Sequence, residues 1–135
     1  YIDFKNLDKL NNFKNEIYEK LEKILEKYDG IRAMKTNKKT VRGGFFGGFP
    51  IIFNNNKNTH DIEKVFNKFN LSIKKYPWLS HHKLKIYSAD SNSNKLQITE
   101  EIQTNFYLLQ IPYFLNINYK NFKNCLEECK KKKIF

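Results

Sequence analysis

The sequence predicts an α/β fold: a small, mixed four-stranded sheet flanked by helices, with a helical extension ahead of it. Three observations carry this expectation. Residues 49–53 (Phe-Pro-Ile-Ile-Phe) are apolar without polar alternation, the pattern of a strand buried on both faces in mid-sheet. Ile62, Val65, Phe66, Phe69, Ile73 and Tyr76 recur at helical spacing, the strongest periodic signal in the chain. Residues 83–87 alternate, with Leu84 and Ile86 on one face and Lys83 and Lys85 on the other.

Size and composition allow one core. The chain has 135 residues, 40% of them hydrophobic and 16% aromatic, including twelve Phe and eight Tyr. A domain of this size buries roughly two thirds of the surface its unfolded chain exposes. Lys and Arg outnumber Asp and Glu 25 to 14, for a formal charge of +11. A field of that sign favours a polyanionic partner, although a lysine-rich, merely solvated surface would give the same total. Two cysteines and three histidines are too few for a disulfide framework or a closed zinc site. No apolar run approaches the ~20 residues of a membrane helix and no signal-peptide pattern is present, so no membrane span is expected. A processed leader ahead of Tyr1 stays open.

In chain order, residues 1–30 form an N-terminal amphipathic helix, 31–48 a basic and glycine-rich linker, and 49–135 the α/β domain. The helix is expected over 6–29, where Leu10, Phe13, Ile17, Leu21, Ile24 and Tyr28 share one stripe. Glu16 with Lys20 and Glu19 with Lys23 are favourably ordered pairs, and Gly30 supplies a left-handed cap. The narrow stripe suits packing against its own domain or a neighbour better than a self-associating coil, because only three heptads are present.

From residue 31 to 42 the chain holds Arg32, Lys35, Lys38, Lys39 and Arg42 without one acid. Such a segment can follow a nucleic-acid backbone with salt-dependent, sequence-tolerant contacts, or it can be a solvated linker. Residues 42–49 (Arg-Gly-Gly-Phe-Phe-Gly-Gly-Phe) hold four of the five glycines. A phosphate-cradling loop would end in Gly-Lys-Ser/Thr and enter a helix, whereas this one enters a strand. Two readings remain: Arg42 and the aromatic rings stack on unpaired bases, or the glycines turn the chain while Phe45 and Phe46 tuck under the sheet.

After the first strand, Asn58 or Thr59 caps a helix whose first turn carries Asp61 and Glu63. Tyr76-Pro77 ends it, since the residue before proline is pushed out of helical geometry. The strand at 83–87 follows. Leu96, Ile98 and Ile102 alternate with polar residues and suggest a third strand. A further apolar strand is expected within 106–117, with Pro112 at an edge or bulge. A closing helix over 119–132 buries Tyr119, Phe122, Leu126 and Cys129. Lys130, Lys131, Lys132 and Lys133 stand at its C-terminus, where cations oppose the helix dipole and can also touch phosphate.

Little in the sequence supports catalysis. His81-His82 point to opposite sides of an extended chain and cannot easily share a metal. Cys125 and Cys129, four apart on one helix, lack disulfide geometry and further metal ligands, so they are expected to be core. Glu100 and Glu101 are adjacent and form no acid–base pair, and no nucleophile–base constellation is present. We therefore expect no enzyme, no cofactor, no metal and no small-molecule substrate.

Strand, loop, helix, strand, strand pair and helix is also the order of a thioredoxin-like fold. Its redox members carry Cys-x-x-Cys between first strand and helix; here residues 54–58 are Asn-Asn-Asn-Lys-Asn. The chain resembles the redox-dead family shared by mitochondrial ribosomal proteins and one accessory subunit of respiratory complex I. The features that resemble it are Pro50-Ile51-Ile52-Phe53, Asp61-Ile62-Glu63-Lys64-Val65-Phe66, Lys75-Tyr76-Pro77-Trp78-Leu79 in place of the family's Asn-Pro turn, and residues 118–126 as closing helix. The resemblance covers roughly residues 49–132. It implies a structural protein of the mitochondrial matrix, in the ribosome and more often its large subunit, with rRNA and neighbouring ribosomal proteins as partners; +11 suits rRNA better than a protein-only assembly. An accessory respiratory subunit and a free-standing single-stranded RNA binder are the alternatives. The expected phosphate contacts are Arg32, Lys35, Lys38, Lys39 and Arg42, supported by Lys83, Lys85 and Lys130 to Lys133.

Overall fold

The computed structural model describes residues 6–34, 48–54, 59–75, 97–111 and 117–135. They form a mixed α/β arrangement of four helices and four strands: α1 (Leu7–Leu25), β1 (Ile31–Ala33), β2 (Phe49–Phe53), α2 (Thr59–Lys68), β3 (Ile73–Lys75), α3 (Gln97–Asn105), β4 (Phe106–Leu109) and α4 (Tyr119–Lys131).

The sheet is open, in the order β1-β2-β4-β3, and each ladder is antiparallel. That corrects the expectation of a mixed sheet. Because β4 is antiparallel to both neighbours, β2 and β3 run in the same direction with β4 between them, so the strand–helix–strand unit is split. β2 has the predicted bounds and is an inner strand with all five residues buried.

Alternate strand residues sort onto two faces. Ile31, Ala33, Phe49, Ile51, Phe53, Ile73, Tyr107 and Leu109 share one core with residues of α1, α2 and α4. Phe53 is its hub, with ring centroids 5.1 Å from Tyr107, 6.2 Å from Phe135 and 6.5 Å from Phe66. Full burial of a side chain of that size contributes roughly 1.5–3 kcal/mol. α1 buries Ile17, Tyr18, Leu21, Ile24 and Leu25 on this core, while Phe13 at the predicted stripe's outer end is 42% exposed. The helix therefore packs on its own domain, turned slightly from the predicted stripe. It stops at Leu25, where Tyr28 N–H bonds Leu25 O at 2.9 Å, and Gly30 at φ +85° leads into β1.

The expected linker thus begins as a strand. Ile31 and Ala33 are buried and Arg32 exposed, but three residues give too short an alternation to recognise. The second helix is also shorter than expected. Its end is a Schellman motif: Leu71 N–H bonds Phe66 O and Asn70 N–H bonds Asn67 O, both at 3.0 Å, with Asn70 left-handed at φ +55°. Ile73, seven residues beyond Phe66, keeps helical phase by coincidence and belongs to β3. The end expected at Tyr76-Pro77 lies outside the described residues, as does the strand at 83–87.

The strand expected around residues 96–102 is instead α3. Ile98 and Ile102 alternate with polar neighbours, yet a spacing of four fits a helix equally, and Thr104 Oγ1 donates to Glu100 O at 2.8 Å along that helix. β4 lies within the apolar region expected for it. α4 starts at Asn118, whose side chain accepts from the N–H groups of Lys120 and Asn121 at 3.1 Å. It buries Phe122, Cys125, Leu126 and Cys129, with Tyr119 only half-buried. A second Schellman motif closes it, with Lys133 at φ +54°.

Candidate nucleic-acid interface

Of the eleven predicted phosphate contacts, five lie among the described residues: Arg32 and Lys130 to Lys133. Lys35, Lys38, Lys39, Arg42, Lys83 and Lys85 lie outside them. The five are not brought together. Arg32 projects from β1 away from the helix-covered core, whereas α4 packs on the core side. Lys130 to Lys133 are all exposed at the end of α4. There they share space with carboxylates: Glu128 accepts Lys132 at 3.9 Å and Lys68 at 3.6 Å.

The face with Arg32 has a different character. Register aligns Arg32, Ile52 and Phe106 in one row, and Pro50, Leu108 and Lys74 in the next. Met34 lies two residues past Arg32, is 46% exposed, and donates its N–H to Pro50 O at 3.3 Å. Arg32 and Lys74 are exposed, Leu108 is half-buried, and Pro50 and Ile52 are buried. No Asp or Glu occurs in any of the four strands, which carry Arg32, Lys74 and Lys75. The acids of the described elements stand on helices and turns.

Lys74 and Lys75 were missed because helical phase appeared to run through them; Asn70, a residue tolerant of left-handed geometry, was the signal that it stops. Tyr18 was missed as well. Its hydroxyl donates to Met34 O at 2.5 Å, and its ring meets Phe49 edge-on at 4.5 Å.

The two thiols are free and fully buried. A hydrogen bond with Cys129, and then burial, push the Cys125 thiol far up, which keeps it protonated and unreactive. Elsewhere, Tyr28 donates its hydroxyl to Glu127 at 2.8 Å and ties the turn after α1 to α4. Burial first, and then that carboxylate, push its pKa up to about 12. Among the described residues, no group of three or more His, Cys, Asp or Glu could hold a metal, and no helix is long and apolar enough to cross a membrane.

Comparison of the chain with family models, curated proteins and solved structures finds no match.

Proposed function

We propose that this chain is a non-catalytic RNA-docking protein of a ribonucleoprotein particle. The observation that carries the reading is charge placement: a chain of +11 whose described strands hold three cations and no carboxylate. Cations without local acids neutralise phosphate and release its counterions, so binding should weaken steeply with salt. The family resemblance makes the particle a mitochondrial ribosome, more often its large subunit, with rRNA and ribosomal proteins as partners. The thioredoxin-like part of that resemblance rests on the succession β2, α2 and the closing helix α4. The insertion of β4 between β2 and β3 is a departure from a simple strand–helix–strand pair with adjacent strands.

Two measurements test the reading. Purified protein titrated with RNA should show affinity falling linearly in log[salt]; salt-independent binding sinks the RNA role. Native protein should co-sediment with ribosomal particles and lose them on nuclease treatment. Co-sedimentation with a respiratory complex instead would make it an accessory subunit there.

A further inference from the structure

We infer that the solvent face of α4 is a phosphate-binding ridge that docks base-paired RNA through its backbone. The inference deepens the RNA reading above and rests on it. Contacts on both flanks make α4 the middle helix of its layer. On one side Tyr28 donates to Glu127 at 2.8 Å, and Lys20 Nζ stands 5.9 Å from the centre of the Tyr119 ring. On the other, Lys68 pairs with Glu128, and Asn121 Nδ2 donates to Phe69 O at 3.3 Å. Phe122, Cys125, Leu126 and Cys129 face the core, so the helical period turns Lys120, Lys123, Asn124, Glu127, Lys130 and Lys131 outward, and all six are exposed. From Lys120 to Lys131 this ridge runs about 16 Å along the helix axis. Lys120, Lys123, Lys130 and Lys131 have no ion pair among the described residues, whereas both carboxylates of α4 are engaged, Glu127 by Tyr28 and Glu128 by Lys68 and Lys132. Lys120 with Lys123, and Lys130 with Lys133, are like charges one turn apart, an arrangement that repels when bare and is relieved by an anion.

The chemistry of the ridge selects its occupant. Its exposed positions carry no apolar or aromatic side chain, so nothing there rewards an unpaired base, and attraction follows phosphate density. A duplex presents about twice the phosphate of a single strand over the same length, and pairing holds it in a line that can lie along a straight helix.

The experiment uses the whole chain in fluorescence anisotropy, with three probes: an RNA duplex of about 16 base pairs, one of its strands alone, and polyglutamate of similar charge. The duplex should bind about tenfold or more tightly than either other probe at low salt. K120Q/K123Q/K131Q should weaken duplex binding about tenfold or more and lower the log–log salt slope by about 2.7, at about 0.9 for each lost phosphate contact. K120R/K123R/K131R keeps the charge and should keep both affinity and slope. K9Q/R32Q/K74Q removes the same net charge from other elements and should lower the slope by about 1 at most. All six side chains are exposed, glutamine matches lysine in helix propensity, and circular dichroism melts check the fold. Equal losses from the two glutamine variants, a wild-type slope in K120Q/K123Q/K131Q, or duplex binding no tighter than that of the single strand or polyglutamate overturns the ridge and leaves the RNA role standing. Absence of binding to both RNAs at low salt defeats the RNA role itself.

Discussion

The hydroxyl of Tyr18 donates to the carbonyl of Met34 at 2.5 Å, where an N–H of residue 50 would otherwise point. Met34 and Pro50 are directly opposite in the continued β1–β2 register, and Met34 N–H bonds Pro50 O. In an antiparallel pair bonded this way the partner returns its own N–H. Proline has none, and a tyrosine from α1 supplies the missing donor. A proline thus sits in an inner strand because its vacant side faces the end of β1 rather than the β4 ladder.

Tyr18→Phe should therefore cost about 1–2 kcal/mol, since it keeps the ring against Phe49 and orphans a carbonyl. Pro50→Val returns an N–H to that carbonyl, so the loss should shrink in its background. A double-mutant cycle from urea unfolding should give a coupling of about 0.5–1 kcal/mol. Additive effects would mean that the two residues do not serve the same acceptor.

Gly48 is held at φ +126°, and a Cβ there would sit against the backbone oxygen of Leu109. The obstacle is main chain of β4, which cannot swing aside as a side chain can. Gly48→Ala should cost about 2 kcal/mol or more, read as a fall in urea midpoint.

The two Schellman motifs differ in how well their left-handed residue suits its task. Asn70 tolerates αL geometry, but Lys133 at φ +54° bears the Cβ penalty in full. Lys133→Gly should stabilise the fold by about 0.5–1 kcal/mol in thermal or urea unfolding, and Asn70→Gly by less.

Tyr28 gives a pH signature. Its folded pKa of about 12 lies above the ordinary 10, so the folded state holds this proton more tightly. The associated stability is fully present below pH 10 and is lost as pH rises through 12. Tyr28→Phe should flatten the alkaline fall in stability over that window, and a tyrosinate absorbance titration should lose one component that titrates above the ordinary phenol range. An unchanged titration curve would place the late phenol elsewhere.

Much of the fold was legible because amphipathic pattern and burial agree. The run at 49–53 has no polar residue, and it became an inner strand buried throughout. The periodic signals of α1, α2 and α4 likewise match buried stripes on the core. What the sequence hid was phase and brevity. Ile73 continued a helical rhythm past a stop encoded by Asn70 alone, and Ile98 with Ile102 satisfied both periods. β1 and β3 have three residues each, too few for alternation to register. The candidate interface was half legible for the same reason. Arg32 stood out by charge, but its pairing with Lys74 depends on β4 entering between β2 and β3, a long-range choice that no local pattern records. The remaining predicted contacts, from Lys35 to Arg42 and at Lys83 and Lys85, lie outside the described residues.

The two outer strands carry a further consequence. A sheet that does not close ends in rows of unpaired backbone groups, and these can recruit another copy of the chain edge to edge. Here both outer strands are only three residues long, and each holds cations: Arg32 on one, Lys74 and Lys75 on the other. Two such margins repel each other on approach. Among the described residues, short, charged borders oppose edge-to-edge pairing of the sheet, and a polyanion reverses the sign of that encounter. Variants that discharge the borders should therefore be handled at low concentration, because the side chains argued to welcome RNA also hold sister molecules apart.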